Sequence, residues 1–150
     1  METNTYKTFF TMLLISFCIM YGVMFLNVDS GEHIYLSATR FYMSVLMITP
    51  MGILMIAFMR IMYKNKKLNA IILMTSIALF ILAFAGLRTQ SFISDKQYIR
   101  AMIPHHSSAI MTSKHANLKD PEVKELAASI IKSQEKEIEQ MKQMLERMNK

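Results

Sequence analysis

Three long uncharged stretches in the first part of this chain constrain its fold more than any other feature. They fall at residues 8–28, 41–60 and 68–87, and only Arg60, at the end of the second, is charged. A hydrocarbon core of about 30 Å requires about 20 residues of apolar helix, and only helices or closed barrels satisfy all their backbone hydrogen bonds in lipid. Alternating strand patterns are absent from the sequence. We therefore predict three transmembrane helices in a membrane domain at residues 1–93.

Basic residues collect in the link between the second and third predicted spans. Arg60, Lys64, Lys66 and Lys67 lie there, whereas the first link also carries acidic residues. Because cytoplasmic loops of membrane proteins are enriched in Lys and Arg, the basic link should be cytoplasmic. The sequence thus predicts an integral protein of the cell membrane with a cytoplasmic N-terminus and an extracytoplasmic C-terminal domain at residues 94–150.

The formal net charge of +6 does not indicate a nucleic-acid partner. Much of the basic excess lies in the link that sets the topology, and the C-terminal domain holds 10 basic and 8 acidic residues along mixed-sign helices. That pattern is typical of a solvated face rather than of a phosphate-binding surface. The partner that composition predicts is the lipid bilayer.

Local signals in the C-terminal domain predict two helices. Ser94 and Gln97 have the spacing of a capping box, so the first helix should begin directly after Ser94. Pro104 lacks a backbone donor, and we expect the helix to kink there or to end and restart. Asp120, followed by a proline, marks the start of the second helix, which should run to Met148. Together the two helices form an αα-hairpin.

Both predicted helices carry a stripe of mainly apolar residues at helical spacing. The stripe positions are Ile99, Met102, Ile103, His106, Ala109 and Ile110 on the first helix, and Val123, Leu126, Ala127, Ile130, Gln134, Ile138, Met141, Leu145 and Met148 on the second. A hairpin alone leaves one apolar side open and has too few residues for a stable core. We predict a homo-oligomer in which two chains form a four-helix bundle; the alternative is packing onto the first link and the membrane surface.

Histidine and methionine cluster in the first helix of the hairpin. His105, His106 and His115 lie close together, and Met102 and Met111 each precede a histidine by four residues. On a helix such pairs share a face, and imidazole with thioether favours Cu(I), whereas the lack of paired cysteines argues against structural zinc. Met111 and His115 lie off the stripe, where ordinary exposed positions explain them, so they are the weaker candidates.

His106 differs because it lies in the middle of the stripe, where an imidazole needs a hydrogen-bond partner or a metal. The second helix breaks its stripe opposite, with Gln134 at the centre, Glu137 at the edge and Met141 two turns beyond Gln134. These residues define a candidate metal site. A hydrogen bond from His106 to Gln134 or Glu137 that only fixes helix register explains the pattern equally well. No nucleophile with an evident base and orienter, and no glycine-rich phosphate loop, is readable, so we do not expect an enzyme.

A second methionine pattern runs through the second predicted span. Its members, at four-residue spacing, are Met43, Met47, Met51, Met55 and Met59. We interpret it as a lipid-compatible packing stripe rather than a copper pathway, because no His, Asp or Glu lies within the spans to mark such a pathway.

The motifs of the hairpin resemble those of the family known as domain of unknown function 305. They are the run Met102-Ile103-Pro104-His105-His106 and the later set of Gln134, Glu137, Ile138 and Met141. The resemblance spans about residues 94–148. It implies a ferritin-like all-helical fold, often secreted or membrane-tethered, with copper binding and metal tolerance in some members. By motif position it assigns the metal site to Met102, His105, His106, Gln134, Glu137 and Met141.

Two features depart from the pattern of that family. Ser108 and Thr112 occupy positions where members commonly have methionine. The chain also contains one hairpin where longer relatives resemble two in tandem, which fits pairing between chains.

The sequence therefore predicts an all-α protein, with three transmembrane helices followed by a C-terminal amphipathic hairpin that resembles half of a ferritin-like bundle. The expected function is extracytoplasmic metal binding, with a copper ion, for buffering, tolerance or delivery. The histidines and methionines of the motifs bind the ion in this hypothesis, and Gln134 or Glu137 orients the imidazoles. The alternative is a structural or interaction module that pairs with itself or another membrane protein and holds no metal.

Overall fold

Five α helices joined by short links make up the fold. A computed structural model describes residues 2–59 and 61–149, and no strand occurs within those two ranges. The helices are α1 (Glu2–Val23), α2 (Ala38–Phe58), α3 (Lys66–Thr89), α4 (Asp95–His115) and α5 (Pro121–Asn149), with a 3-10 turn at Gly31–His33. The predicted all-α class is confirmed.

Two compact units divide the chain. The first comprises α1 and residues 39–92, and the second comprises residues 24–38 with the chain from Ile93 onward. The link between α1 and α2 thus groups with the C-terminal helices. We call residues 24–38 the strap.

The first unit contains the apolar helices that were predicted to cross a membrane. Thr5–Val23, Ala38–Phe58 and Lys66–Thr89 are long and apolar enough to do so. Only a minority of each helix is buried within the chain, so most of its apolar side chains are available to lipid. The three helices are therefore suited to a membrane.

Helix boundaries differ from the predicted spans. α1 ends at Val23, short of the predicted end, because residues 25–28 form a turn closed by a 3.4 Å backbone hydrogen bond and belong to the strap. α3 continues to Thr89 and is closed by Gln90, which has a left-handed backbone with φ 52°. Arg60, the predicted end of the second span and a member of the predicted basic link, lies outside the described residues.

Aromatic and aliphatic side chains pack together in the first unit around the link between α2 and α3. The buried residues are Tyr6, Phe9, Ile56, Tyr63 and Ile72. The Tyr6 hydroxyl donates to Asn69 Oδ1 at 2.8 Å and accepts the Asn65 N–H at 3.2 Å. This hydroxyl therefore ties the start of α1 to the start of α3.

α4 and α5 form the predicted hairpin, and the predicted N-caps are confirmed. The Ser94 side chain accepts the Gln97 N–H, and the Asp120 carboxylate accepts the Val123 N–H at 3.1 Å. Gln97 does not complete a capping box, because its Oε1 accepts the Ala38 N–H of the strap at 2.9 Å.

Pro104 does not end α4, so of the two outcomes predicted for it, a kink or an end and restart, the second does not occur. The helix is continuous from Asp95 to His115, and Pro104 is fully buried within it. Burial of the apolar ring offsets the single backbone hydrogen bond that proline cannot donate. Both motif histidines, His105 and His106, therefore lie on one continuous helix.

The core of the second unit lies between α4 and α5. Its buried members are Ile99, Ile103, Ile110, Ile138 and Leu145. Tyr35 of the strap packs against this cluster, so the strap also contributes to the core.

The first turns of α5 are less buried than predicted. Val123 and Leu126 were expected to face inward, but they are 44% and 60% exposed. In the described structure the buried positions of α5 are Ile138 and Leu145, near the strap residue Tyr35. Tyr35 of the strap packs against the core that includes Ile138 and Leu145, whereas Val123 and Leu126 in the first turns of α5 stay at the surface.

Polar contacts bind the strap to α4. Asn27 Nδ2 donates to Ser108 Oγ at 2.7 Å, and the Asp29 N–H donates to Ser107 Oγ at 2.8 Å. His33 Nδ1 also lies 2.8 Å from Ser107 Oγ. Because Ser107 is fully buried, its hydroxyl is reserved for the strap.

Two ion pairs add to this attachment. Lys114 Nζ lies 2.8 Å from Asp29 Oδ2, and Lys142 Nζ lies 3.3 Å from Glu32 Oε2. Exposed pairs of this kind contribute about 0–1 kcal/mol each, so the buried Ser107 contacts dominate the polar attachment. The link between α1 and α2 therefore covers part of the hairpin. Packing of the hairpin onto this link was part of the alternative to self-association.

We predict that Ser107→Ala destabilises the second unit by about 1–3 kcal/mol, because it leaves the Asp29 N–H and His33 Nδ1 without their buried partner. Hydrogen–deuterium exchange of α4 amides in the detergent-solubilised full chain measures the change. Ser129→Ala, at an exposed position of α5, is the matched control and should change stability by less than about 0.5 kcal/mol. Equal effects of the two substitutions would contradict the role assigned to Ser107.

Candidate metal centre

The polar cluster of the hairpin forms where α4 faces α5. His106 Nδ1 lies 3.1 Å from Glu137 Oε2. The His106 side chain is 12% exposed, whereas that of Glu137 is 44% exposed. A mostly buried imidazole therefore meets a carboxylate that remains open to water.

The contact between His106 and Glu137 does not have the alignment of a hydrogen bond. His106 Nδ1 is buried and has no hydrogen-bond partner among the described residues, although the carboxylate is within ion-pair distance. The other carboxylate oxygen, Oε1, accepts the Ser133 hydroxyl at 2.9 Å. An unsatisfied buried nitrogen is unfavourable by about 1–3 kcal/mol. His106 thus retains a ring nitrogen whose bonding capacity is unused.

Burial lowers the pKa of the His106 imidazole below its ordinary value of 6.5. The Glu137 carboxylate opposes this effect, and His105 reinforces it. The imidazole is therefore neutral at neutral pH, which is the form that binds metal ions.

The remaining predicted ligands differ in burial. His105 is exposed, and its ring centroid lies 5.9 Å from that of His106 in an edge-to-face arrangement. Met102 and Gln134 are half-buried, and Met141 packs against the apolar core of the second unit. In the described part of the chain, no three His, Cys, Asp or Glu side chains come together as a metal cluster. A metal bound here would depend on methionine sulfur as well as imidazole.

Met111 and His115 lie on the later turns of α4. Met111 is half-buried, and His115 is exposed in the last turn. Neither has a described polar contact with His106 or Glu137.

Sequence reasoning missed the pairing of His33 with Ser107. No spacing rule connects a histidine of the strap to a serine of α4, and the one available signal is a histidine in a short charged link. Ser107 is fully buried and accepts the Asp29 N–H, so it lacks the access that a catalytic nucleophile needs. The pair holds the strap on α4 at the residue that follows His106.

Burial lowers the pKa of His33 below its ordinary value of 6.5. The positive charge of Lys142 lowers it further, Asp29 and Glu32 raise it, and Lys114 lowers it. His33 Nδ1 and the Ser107 hydroxyl form a hydrogen bond whose donor depends on the imidazole tautomer. Because burial lowers the pKa of His33, packing of the strap against α4 favours the neutral imidazole.

We predict that the second unit loses stability on acidification. The folded pKa values of His33 and His106 lie below the unfolded value near 6.5, so unfolding takes up protons. At a pH above the unfolded pKa, the second unit has its full stability with respect to these two histidines. This stability is lost as the pH falls from the unfolded pKa towards the lowered folded pKa values. Protection of α4 amides, corrected for intrinsic exchange, should fall between about pH 7.5 and about pH 5.5.

The control for this effect uses three histidines. A variant with both His33→Gln and His106→Gln should lose most of the pH dependence, whereas His115→Gln, at an exposed position, should keep it. Full retention of the dependence in the double variant would contradict the assignment.

Comparison with known proteins places the chain among its relatives. Residues 58–145 match the family described as Domain of unknown function (DUF305), so the match begins at the end of α2 and includes α3, whereas the motif resemblance began at about residue 94. An uncharacterized protein of Acanthamoeba polyphaga mimivirus is 40% identical over 138 residues, which cover 90% of this chain and 89% of that protein. No solved structure matches the chain. The family match spans more than half of the chain and the viral relative covers most of it, so this protein belongs to the DUF305 family.

Proposed function

We propose that this chain is a membrane-anchored, extracytoplasmic protein that binds copper as Cu(I) in its α4–α5 hairpin, for buffering, tolerance or delivery of the metal. The observation that carries the proposal is the buried Nδ1 of His106, which has no hydrogen bond and lies 3.1 Å from the Glu137 carboxylate. A bound cation would satisfy this nitrogen and lie beside a negative charge.

The donors near His106 favour a soft ion. Met102 precedes His106 by four residues, and Met141 follows Glu137 by four, so each lies one helical turn from the pair. Thioether sulfur selects Cu(I), and imidazole also suits copper. Because sulfur can supply the remaining ligands, the proposal does not require the His, Cys, Asp and Glu cluster that the described residues lack.

The proposed roles follow from position and burial. His106 and the exposed His105 supply nitrogen, and Met102 and Met141 supply sulfur. Glu137 lies 3.1 Å from His106 Nδ1 and offsets part of the positive charge of the ion. We propose binding and transfer of the ion rather than catalysis.

The proposed location follows from the charge of the links. Lys64, Lys66 and Lys67 lie between α2 and α3, and the enrichment of basic residues in cytoplasmic loops favours a cytoplasmic position for this link. An odd number of spans then puts the hairpin outside the cell membrane, where it would meet incoming metal.

A second candidate function is self-association without metal. Val123, Leu126 and Met144 of α5 are 44%, 60% and 44% exposed, which leaves apolar surface on the hairpin. A second copy could cover it, and two hairpins supply the four helices of a bundle. The His106 and Glu137 pair would then serve only to align α4 and α5. Metal binding and self-association are compatible in one protein.

We predict that the full chain in mild detergent binds Cu(I) against a competing chelator. The variant with His105→Ala and His106→Ala should lose the hairpin site, with its Cu(I) affinity reduced more than about a hundredfold. Loss of a metal ligand should lower affinity more than loss of a residue that only hydrogen-bonds a ligand, which costs about 10–100-fold. Met102→Leu should weaken the same site, whereas His115→Ala should not. Zn(II) should bind more weakly because thioether sulfur is a poor ligand for it.

Two results would count against the copper proposal. If the folded double variant and the wild type bind Cu(I) equally, the hairpin is not the site. If Met102→Leu has no effect while Zn(II) binds as tightly as Cu(I), the site does not use sulfur. Circular dichroism of each variant shows whether the helices are retained.

We also predict that the wild-type chain sediments as an oligomer in detergent, and that Val123→Glu with Leu126→Glu dissociates it by placing two charges in the apolar contact. Lys124→Glu changes the net charge by the same amount at a neighbouring exposed position and should leave the oligomer intact. A monomeric wild type would exclude self-association through α5 under these conditions.

A further inference from the structure

Four methionines line a single cavity in the first unit. The cavity has a volume of about 350 Å³, and its sulfur-bearing walls come from Met12 of α1, Met55 of α2, and Met59 and Met62 of the link that follows α2. Two threonines of α1 and Tyr63 complete the lining. Three separate segments of the chain thus direct thioethers into one space.

Backbone geometry explains how the methionines converge. The Met59 N–H donates to the Met55 carbonyl at 3.0 Å, so these two residues lie one turn apart on the same side. The Met62 N–H then donates to the Met59 carbonyl at 2.9 Å, and this turn brings Met62 back towards the others. Met12, Met59 and Met62 are 46%, 38% and 53% exposed, so their side chains remain accessible.

The composition of this cavity differs from that of its neighbours. Two other cavities of the first unit, of about 590 Å³ and about 380 Å³, include several Phe, Leu and Ile and have no methionine among their described lining residues. The methionine cavity contains no Leu, Ile, Val or Phe among its described lining residues. Among these three cavities, the methionines are therefore concentrated in one.

We propose that this cavity is a second site for a soft monovalent cation, Cu(I) or its analogue Ag(I), held by the four thioethers. Thioether sulfur is neutral and selects soft ions, whereas Mg²⁺ and Ca²⁺ need carboxylate or carbonyl oxygen. The link between α2 and α3 also carries Lys64, Lys66 and Lys67, whose positive charges disfavour a cation. Binding in this cavity therefore depends on the sulfur atoms. The site differs from the hairpin in chemistry because thioethers do not take up protons, whereas imidazoles do.

The structure revises the interpretation of the methionine stripe in α2. Of the five methionines at four-residue spacing, Met55 and Met59 line the cavity, while Met43, Met47 and Met51 do not. Met43 and Met47 are 39% and 44% exposed, which matches the exposure of the cavity methionines and makes them suitable controls.

The test titrates Ag(I) into the full chain in detergent, in the background of Cys18→Ser, His105→Ala and His106→Ala, so that neither the exposed thiol of Cys18 nor the hairpin imidazoles contribute. We expect tight Ag(I) binding whose affinity is unchanged between about pH 7 and about pH 5, because no ligand titrates in that range. Adding Met12→Leu and Met59→Leu should weaken binding more than about a hundredfold. Met43→Leu with Met47→Leu should have no effect, and exchange of Leu for Met preserves side-chain volume in both pairs.

The outcomes separate this proposal from the proposed function. Loss of all Ag(I) binding in the histidine background would overturn the methionine cavity and leave the hairpin site in place. Binding in that background equal to wild type, but lost in the Met12 and Met59 variant, would support the cavity and count against the hairpin. Equal binding by the two methionine pairs would overturn the cavity. If Met12→Leu and Met59→Leu reduces helix content, Met62→Leu in the link supplies the same test at an exposed position.

Discussion

A hairpin of two helices cannot enclose its own apolar stripe, and the strap supplies part of the missing cover in this protein. Ser107 is the point of attachment, because its buried hydroxyl meets both the Asp29 N–H and His33 Nδ1 at 2.8 Å. Tyr35 adds apolar contact with the same core. Tyr35 is partly buried, so it contributes a fraction of the about 1.5–3 kcal/mol that full burial of a large apolar side chain gives. His106, the central residue of the proposed metal site, directly precedes Ser107 on α4.

Two histidines of the second unit, His33 and His106, share a lowered pKa. Burial lowers the pKa of both His33 and His106, so both imidazoles are neutral at neutral pH. Protonation opposes the folded arrangement of the strap on α4, and it would also oppose the metal binding that we propose at His106. The methionine cavity of the first unit lacks imidazole among its described lining residues and is free of this linkage. The two proposed sites would thus respond differently to the same change of pH.

Local signals predicted much of the fold. The three spans follow from length and hydropathy, and the caps at Ser94 and Asp120 follow from side chains that satisfy nearby backbone donors. The sequence left open whether α4 kinks at Pro104 or ends and restarts there, and the helix does not end. A local rule could not decide this, because it does not include the burial that Pro104 gains within the second unit. Gln97 was predicted to complete a capping box with Ser94. Its side chain instead accepts the Ala38 N–H of the strap.

Long-range contacts were harder to predict. The approach of Glu137 to His106 was foreseen because both break an amphipathic stripe, and helical periodicity determines which residues face each other. The attachment of His33 to Ser107 joins segments far apart in the chain, and neither residue lies in a pattern that points to the other. Convergence of Met12 with Met59 and Met62 likewise requires the packing of α1 beside the end of α2. Helical periodicity predicts which residues meet when two helices are known to pair, as α4 and α5 do. It does not predict that a link such as the strap packs onto those helices.

The central claim is that the hairpin binds Cu(I) through imidazole nitrogen and methionine sulfur together. Copper X-ray absorption on the Cu(I)-loaded full chain tests it most directly, because nitrogen and sulfur neighbours differ in distance and scattering. The sample should carry Met12→Leu and Met59→Leu, so that the methionine cavity does not contribute to the signal. We predict nitrogen and sulfur scatterers in one spectrum, with the sulfur contribution reduced when Met102→Leu and Met141→Leu are added. A spectrum with nitrogen or oxygen neighbours alone, or a folded chain that retains no copper, would contradict the account.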